Sequence, residues 1–498
     1  MTNLAINLKE AVAQFPQRVV VRVGDVAITY AELDDLSARV AGHLRAEGLG
    51  PGDRVGIMLP NVAAFPIIYY GVLRAGLTVV PMNPLLKARE VAHYAADSGA
   101  RRIFCWHTSA AEAEAGAEGT TATVIAVTDD TTQVIAGWPP SPEYASRADD
   151  DTAVILYTSG TTGTPKGAEL THANLRANAA TTAGQLLDVT EEDVIMGCLP
   201  LFHAFGQTCA LNAAILCGAA ISLLPRFDPV SALRIIEADR VTIFEGVPTM
   251  FVALLDAGTE VADTSSLRVC ISGGAALPVE VLRGFEDAFH APVLEGYGLS
   301  ETSPVASFNR RGNARAGSIG VPIDGVEMRV VDATTHAEMP QGEVGEIAIR
   351  GHNIMRGYWN RPEATAEAIQ DGWFYSGDMG RQDEDGFFYI AGRKKELIIR
   401  GGFNVYPREI EEVLYEHESV LEAAVIGVPH PTYGEEVAAA IVLREGHSRS
   451  AEELREYVKA QVAAYKYPRL VWVTDQLPKG PTGKILKRDI TLPEDLHV

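Results

Sequence analysis

The sequence predicts an α/β protein: a large N-terminal domain of parallel α/β sheets carrying a β-subdomain, then a small mobile α+β C-terminal domain. Three features carry that reading. Over much of the chain, short apolar runs alternate with stretches of helical spacing, the pattern of strand–helix–strand units that close onto parallel sheets. From Gly317 to about Ile390 the texture changes to short β-rich segments broken by Gly and Pro. At Arg393-Lys394-Lys395-Glu396 the charge density rises sharply, and a last segment of about a hundred residues follows, the size of a small domain. A chain of 498 residues exceeds one ordinary core, so the expected division is 1–392 and 393–498, with 393–395 as the hinge.

In chain order, residues 5–15 have helical apolar spacing. Residues 19–30 alternate as a hairpin turning at Gly24-Asp25. Thr29 and Glu32 stand as a capping box ahead of a helix of about fifteen residues. Gly50-Pro51-Gly52-Asp53 turns into a strand at 54–59, a helix at 63–75 and a strand at 77–80, and the pattern returns after Glu90 and near 124–127. A Pro-rich connector at 137–142 leads to an apolar run at 153–157 that reads as a buried strand. Thr171 caps a helix reaching about Leu187. Strands are expected at 194–199, 241–244, 269–271 and 293–295, each followed by a loop. In an open α/β sheet such loops gather around one crevice at the strand C-termini, so these are placed to face one ligand. Beyond the hinge come a strand at 397–399, a Gly401-Gly402 turn, a helix from Pro407, a strand at 423–428 and a helix from Ala451.

Residues 158–167 read TSGTTGTPKG, with three glycines, five hydroxyls and one lysine. Gly160 and Gly163 let the backbone approach an anion, and successive N–H groups in such a loop form a nest for phosphate oxygens. Thr158, Ser159, Thr161 and Thr162 add hydroxyl donors and Lys166 adds positive charge. The string is not GxxxxGK[ST], because Pro165 stands five residues beyond Gly160, and no GxGxxG fingerprint fits. Composition alone suits a Gly/Thr-rich surface hairpin as well as a phosphate site.

The net charge of −23 argues against general nucleic-acid binding. Any anionic ligand must be met by local positive charge. The N-terminal residues lack a basic region followed by an apolar core, so no signal peptide is expected, and the apolar stretch at 209–224 is too short and interrupted for a membrane span. Five cysteines without CxxC spacing are expected as buried free thiols, consistent with a cytoplasmic location.

The string at 158–167 resembles the phosphate-loop signature of the acyl-CoA synthetases (fatty acid–CoA ligases), ATP-dependent, AMP-forming enzymes of the adenylate-forming superfamily. The resemblance covers almost the whole chain. PLFH at 200–203, EGYGLSE at 295–301, YSGD at 375–378, GRKKE at 392–396, GGFNVYP at 401–407 and PTGK at 481–484 follow in that family's order. It implies a two-step reaction: a carboxylate joins the α-phosphate of ATP as an acyl-adenylate, and coenzyme A then attacks it. ATP, Mg2+ and coenzyme A are the implied cofactors, and a small carboxylic acid is the substrate.

The resemblance also implies roles, which stand beside plainer ones. Glu301 would hold Mg2+; by itself it reads as a helix N-terminal acid. Ser300, where the family more often has Thr, would contact the α-phosphate. Tyr297 would stack on adenine rather than merely pack a core, with Gly274 and Ala275 on the other face of the base. Asp378 and Arg393 would hold the ribose rather than form a surface ion pair. Lys484 would bridge carboxylate and phosphate during adenylation rather than lie in solvent. His203 would stand between the acyl and coenzyme A channels, and Lys166 would serve the phosphates. Gly401 and Gly402, with Asn404 on the same loop, would admit pantetheine when the small domain swings, and Lys466 would meet coenzyme A phosphates. Lys395 occupies the hinge position where many relatives carry Asp. Phe205, Val247 and Val305 would line an apolar acyl pocket. Gly296 leaves room where dicarboxylate-specific relatives place a cation, which favours a fatty acid over malonate.

The PxxxxGK spacing of 478–484 matches that at which related synthetases are acylated on the terminal lysine, which suggests a lysine acetyltransferase acting on Lys484. Competing readings are an adenylating enzyme for an aryl or short-chain acid or a carrier-protein thiol, a luciferase-type oxygenase, and a non-catalytic nucleotide-binding regulator. Retention of Lys484, Glu301 and Asp378 together argues against the last.

Overall fold

A computed structural model describes residues 3–158, 164–481, 483–494 and 496. Local signals place most elements where the sequence expects them. The Thr29 side chain accepts the Glu32 N–H and starts the helix Tyr30–Ala46, which buries Leu33, Leu36, Val40 and Leu44 along one face. The apolar run becomes the strand Thr152–Thr158, buried over its first five residues.

Two mainly parallel sheets form the body. In the nine-stranded sheet, six parallel strands run in the order Val293–Gly298, Val269–Ser272, Ile243–Gly246, Val194–Gly197, Ala220–Leu223 and Val19–Val23. The hairpin partner Val26–Thr29 closes one edge, and Val305–Phe308 and Val321–Pro322 close the other. The seven-stranded sheet places Thr152–Thr158 beside Thr78–Pro81 and pairs it antiparallel with Lys166–Thr171, so the two ends of TSGTTGTPKG, Thr158 and Lys166, lie opposite each other. One apolar core, with Phe65, Tyr69, Leu73, Ile195, Leu211 and Ile221, joins the two sheets.

The β-rich region folds as an antiparallel sheet of Val326–Val331, Gly345–Gly351, Trp373–Gln382, Ile369–Gln370 and Phe388–Arg393. Two details depart from the sequence reading. Val321–Pro322 lies beyond Gly317 yet pairs with the large sheet, because an edge strand joins whichever ladder its chain passes. A helix, Pro362–Ala368, interrupts the β-subdomain, with Pro at its first turn. The helix expected to reach Leu187 is α-helical over His172–Ala180 and widens to a π-helix over Thr181–Leu186. The apolar stretch after Cys209 divides among the π-helix Gly206–Asn212, the helix Ala213–Cys217 and the strand Ala220–Leu223. No helix among the described residues is long and apolar enough to cross a membrane. All five cysteines are free, and only Cys217 is not fully buried.

The small C-terminal domain has its own sheet and its own core of Ile398, Val405, Ile410, Leu414, Val425, Val437, Leu454 and Val458. It sits against the large sheet's helices and loops. Thr249 Oγ1 donates to the Gly483 carbonyl at 2.9 Å, and the Val279 N–H donates to Glu412 Oε2 at 3.2 Å.

Candidate active site

The parallel strands end at one crevice, which the C-terminal segment covers. A cavity of about 840 Å³ is lined by Thr158 and Lys166, by His203 and Phe205, by Gly296, Tyr297, Ser300 and Glu301, and by Arg393, Lys395 and Lys484. A smaller cavity of about 220 Å³ adjoins it, lined by Gly274, Ala275, Tyr297, Asp378, Arg393 and Lys484. Thr158 and Lys484, 326 positions apart in the sequence, thus line one cavity. Ser159, Gly160, Thr161, Thr162 and Gly163 lie outside the described residues; Thr158 and Lys166, which flank them, are register partners across the hairpin.

Glu301 is 8% exposed, on the short turn Ser300–Thr302. Its Oε1 accepts the Thr158 hydroxyl at 3.2 Å and the Tyr358 hydroxyl at 3.0 Å. The loop before it is held close by a glycine: a Cβ on Gly298 would lie 1.8 Å from the Pro304 carbonyl oxygen. Lys166 Nζ stands 5.3 Å over the Tyr358 ring, so the lysine and the acid share one aromatic neighbour.

Asp378 is 4% exposed in the antiparallel sheet. The Tyr297 hydroxyl donates to its Oδ2 at 2.7 Å, and Arg393 Nε lies 3.0 Å from its Oδ1. The Asp378 carboxylate raises the Arg393 guanidinium above its usual value, and burial pushes the Tyr297 hydroxyl well up.

Lys484 lies on a loop closed by the Gly480 N–H donating to the Lys484 carbonyl at 2.8 Å. Burial, reinforced by the charge of Arg393, brings its ammonium down to about 8. Burial also takes His203 down to about 4, and the Lys484 charge acts on it in the same direction. Both groups line the larger cavity. Lys394 is held by Glu346 at 3.2 Å, while Lys395 lines the cavity.

Gly401 and Gly402 on a turn, and Asn404 in the strand Phe403–Val405 that follows it, are exposed and outside both cavity linings. Lys466 is paired with Glu409 at 2.6 Å. Phe205, Val247 and Val305 do line the large cavity. Sequence reasoning passed over Tyr358 and Thr249, which carry no motif of their own, and Glu245, whose signal was a lone acid inside an apolar strand.

One carboxylate with hydroxyl neighbours suits Mg2+, an ion that keeps waters and takes ligands from phosphates. Among the described residues no group of three or more His, Cys, Asp or Glu could hold a metal by itself. A Mg2+ ion beside Glu301 would take its remaining ligands from phosphate oxygens and water.

The AMP-binding enzyme model matches residues 8–359, and the AMP-binding enzyme C-terminal domain model matches 409–484. The long-chain-fatty-acid–CoA ligase of Bacillus subtilis (strain 168) is 37% identical over 97% of this chain and 92% of that protein. The feruloyl-CoA synthase of an Amycolatopsis species is 38% identical over 95% of this chain and 96% of that protein. The solved structure of ATP-bound MatB from Rhodopseudomonas palustris superposes with a TM-score of 0.92 at 34% identity, covering 98% of this chain and 97% of that one. Apo MatB gives 0.82 at 35% identity over the same shares. With both domain models matched and relatives 37% and 38% identical over nearly the whole chain, the chain belongs to the AMP-binding enzyme family, among its adenylate-forming acid–CoA ligases.

Proposed function

We propose that this ligase activates a fatty acid through an acyl-adenylate and passes it to coenzyme A, releasing AMP and pyrophosphate. The observation that carries the reading is Lys484, from the C-terminal segment, brought beside His203 and Arg393 in the crevice where the strand-end loops gather. The superposition supports it: the chain fits the ATP-bound form of MatB better than the apo form. The boundary near 393 is then the hinge of a lobe that sits in its adenylating placement.

The residues have distinct tasks in the first step. Thr158, Ser300 and Lys166 hold phosphate oxygens, and Asp378 with Arg393 holds the ribose. Tyr297, Gly274 and Ala275 enclose the adenine. Lys484 places its charge between the attacking carboxylate and the α-phosphate, stabilising the charge that builds as the P–O bond to pyrophosphate breaks. Glu301 would hold Mg2+, which when bound neutralises the departing phosphates. His203, neutral at physiological pH because burial keeps its value near 4, borders the acyl pocket without adding a charge there.

In the second step the lobe rotates about 393–395, carrying Lys484 out and the exposed Gly401-Gly402 turn in to admit pantetheine. The exposure of that turn, and of Asn404, supports the reading that it serves a different placement. Acylation of Lys484 by an acetyltransferase would need the same swing, because here the lysine lines the cavity. The apolar Phe205, Val247 and Val305 favour an alkyl tail. The test is AMP release with ATP, coenzyme A and acids of increasing chain length. Turnover of medium or long alkyl acids is expected, and turnover confined to aryl or short acids rejects the fatty-acid assignment.

A further inference from the structure

The acyl side of the large cavity contains a group that an apolar tail does not need. Glu245 is third in the central strand Ile243–Gly246. Its neighbour Phe244 faces an aromatic cluster with Phe251 and Phe285. Strand alternation therefore turns Glu245 to the opposite face of the sheet, where it lines the cavity with Leu187, Cys209 and Ile271.

Glu245 has no exposed surface, and neither of its carboxyl oxygens has a hydrogen-bond partner. The nearby Cys198 thiol does not serve it, since that thiol donates to the Glu245 backbone carbonyl at 3.3 Å. Ser272, on the adjacent strand and also lining the cavity, is fully buried with its hydroxyl unpartnered. Roughly nine in ten buried polar groups are paired, and leaving one unpaired costs about 1–3 kcal/mol. Ser272 pairs in register with Gly246 and so sits on the other face of its strand, which leaves the Glu245 carboxyl as the unpaired polar group on the wall it shares with Leu187, Cys209 and Ile271. Burial pushes the Glu245 carboxyl up to about 8, so at neutral pH it holds its proton and both donates and accepts.

We propose that Glu245 is a specificity-determining residue that hydrogen-bonds a hydroxyl on the tail of the acid, so that the preferred substrate is a hydroxylated acid rather than its plain parent. This rests on the ligase reading above and narrows its substrate class. An apolar tail would leave the carboxyl unpaired at the moment water is excluded. A tail hydroxyl at the right depth supplies a donor to one oxygen and an acceptor for the proton on the other. A site built this way discriminates strongly against an analogue lacking the hydroxyl.

The experiment compares matched pairs: straight-chain acids hydroxylated at successive positions, and hydroxycinnamates, each beside its plain parent. The readout is kcat/KM for the acid by AMP release at saturating ATP and coenzyme A. At least one hydroxylated acid is expected to exceed its parent by tenfold or more. In Glu245→Leu that ratio should fall to about one or below, with KM for ATP unchanged; Glu245→Gln, close in shape, should retain part of the preference. The wild-type panel decides the matter even if the leucine variant does not fold. Plain parents used as well as every hydroxylated partner by the wild type, or a preference that survives in Glu245→Leu, overturns this assignment alone. Failure to release AMP with any acid overturns the ligase reading and this assignment with it.

Discussion

Tyr297 donates its hydroxyl to Asp378 at 2.7 Å, joining the end of a parallel strand in the large sheet to an antiparallel strand of the β-subdomain. The same carboxylate meets Arg393, its partner on the neighbouring strand Phe388–Arg393. Two structural units, the large sheet and the β-subdomain, therefore converge on one acid, at the place assigned to the ribose. Asp378→Ala removes a nearly buried charged acceptor, and hydrogen bonds to charged groups are worth about 1.5–3 kcal/mol. The KM for ATP in pyrophosphate exchange should rise about 10- to 100-fold. Tyr297→Phe, which keeps the ring, should cost less than about tenfold.

Lys484 carries its charge into a crevice that lowers it to about 8. The free enzyme keeps the cation below that pH and loses it above. The kcat/KM for ATP in pyrophosphate exchange should therefore fall on the alkaline side with an apparent value near 8, and Lys484→Arg should move that limb out of range. Lys484→Ala should lower exchange by about 10²- to 10³-fold, the scale of one lost transition-state donor, while thioester formation from supplied acyl-adenylate continues. Equal loss of both half-reactions would refute the assignment.

Glu301 is held by Thr158 and Tyr358 through the same oxygen. Glu301→Gln keeps the shape and removes the charge. Adenylation should then need at least about tenfold more Mg2+ for half-maximal rate, since an ion with one protein carboxylate has no substitute ligand. An unchanged Mg2+ titration removes Glu301 from the site.

His172 is buried, accepts the Leu4 N–H on Nδ1 at 3.0 Å, and is pulled by burial down to about 3. In the unfolded chain it titrates near 6.5, so between those values the unfolded state binds the extra proton and stability rises with pH. The stabilising difference is intact above about pH 6.5 and lost as pH falls toward 3. His203, depressed to about 4, adds to the same slope. Urea midpoints measured from pH 7 to pH 4.5 should fall in the wild type, and less steeply in His172→Gln. Parallel slopes would contradict the account.

The elements with strong local signals were legible in the sequence. A capping box at Thr29 and Glu32 and an apolar run before the Gly/Thr-rich loop act over a few residues, and each formed nearly where expected. The boundary at Gly317 was less legible, because strand pairing is decided by which ladder lies alongside rather than by texture. The π-helical turn at Thr181–Leu186 left no readable trace either, since one widened turn changes no apolar spacing strongly.

By itself the sequence determined the chemistry on offer: a hydroxyl- and glycine-rich string at 158–167, an acid at 301, an acid and a guanidinium at 378 and 393, and a lysine at 484. Those properties belong to side chains and short strings, so they travel with the residues. The tertiary structure alone decided that Lys484 shares a cavity with His203, that Tyr358 shares Glu301 with Thr158, that the Gly401-Gly402 turn stands outside the cavity, and that Glu245 faces it unpaired. Proximity across hundreds of residues and the loss of water around a group are properties of packing, and they exist only once the chain has closed.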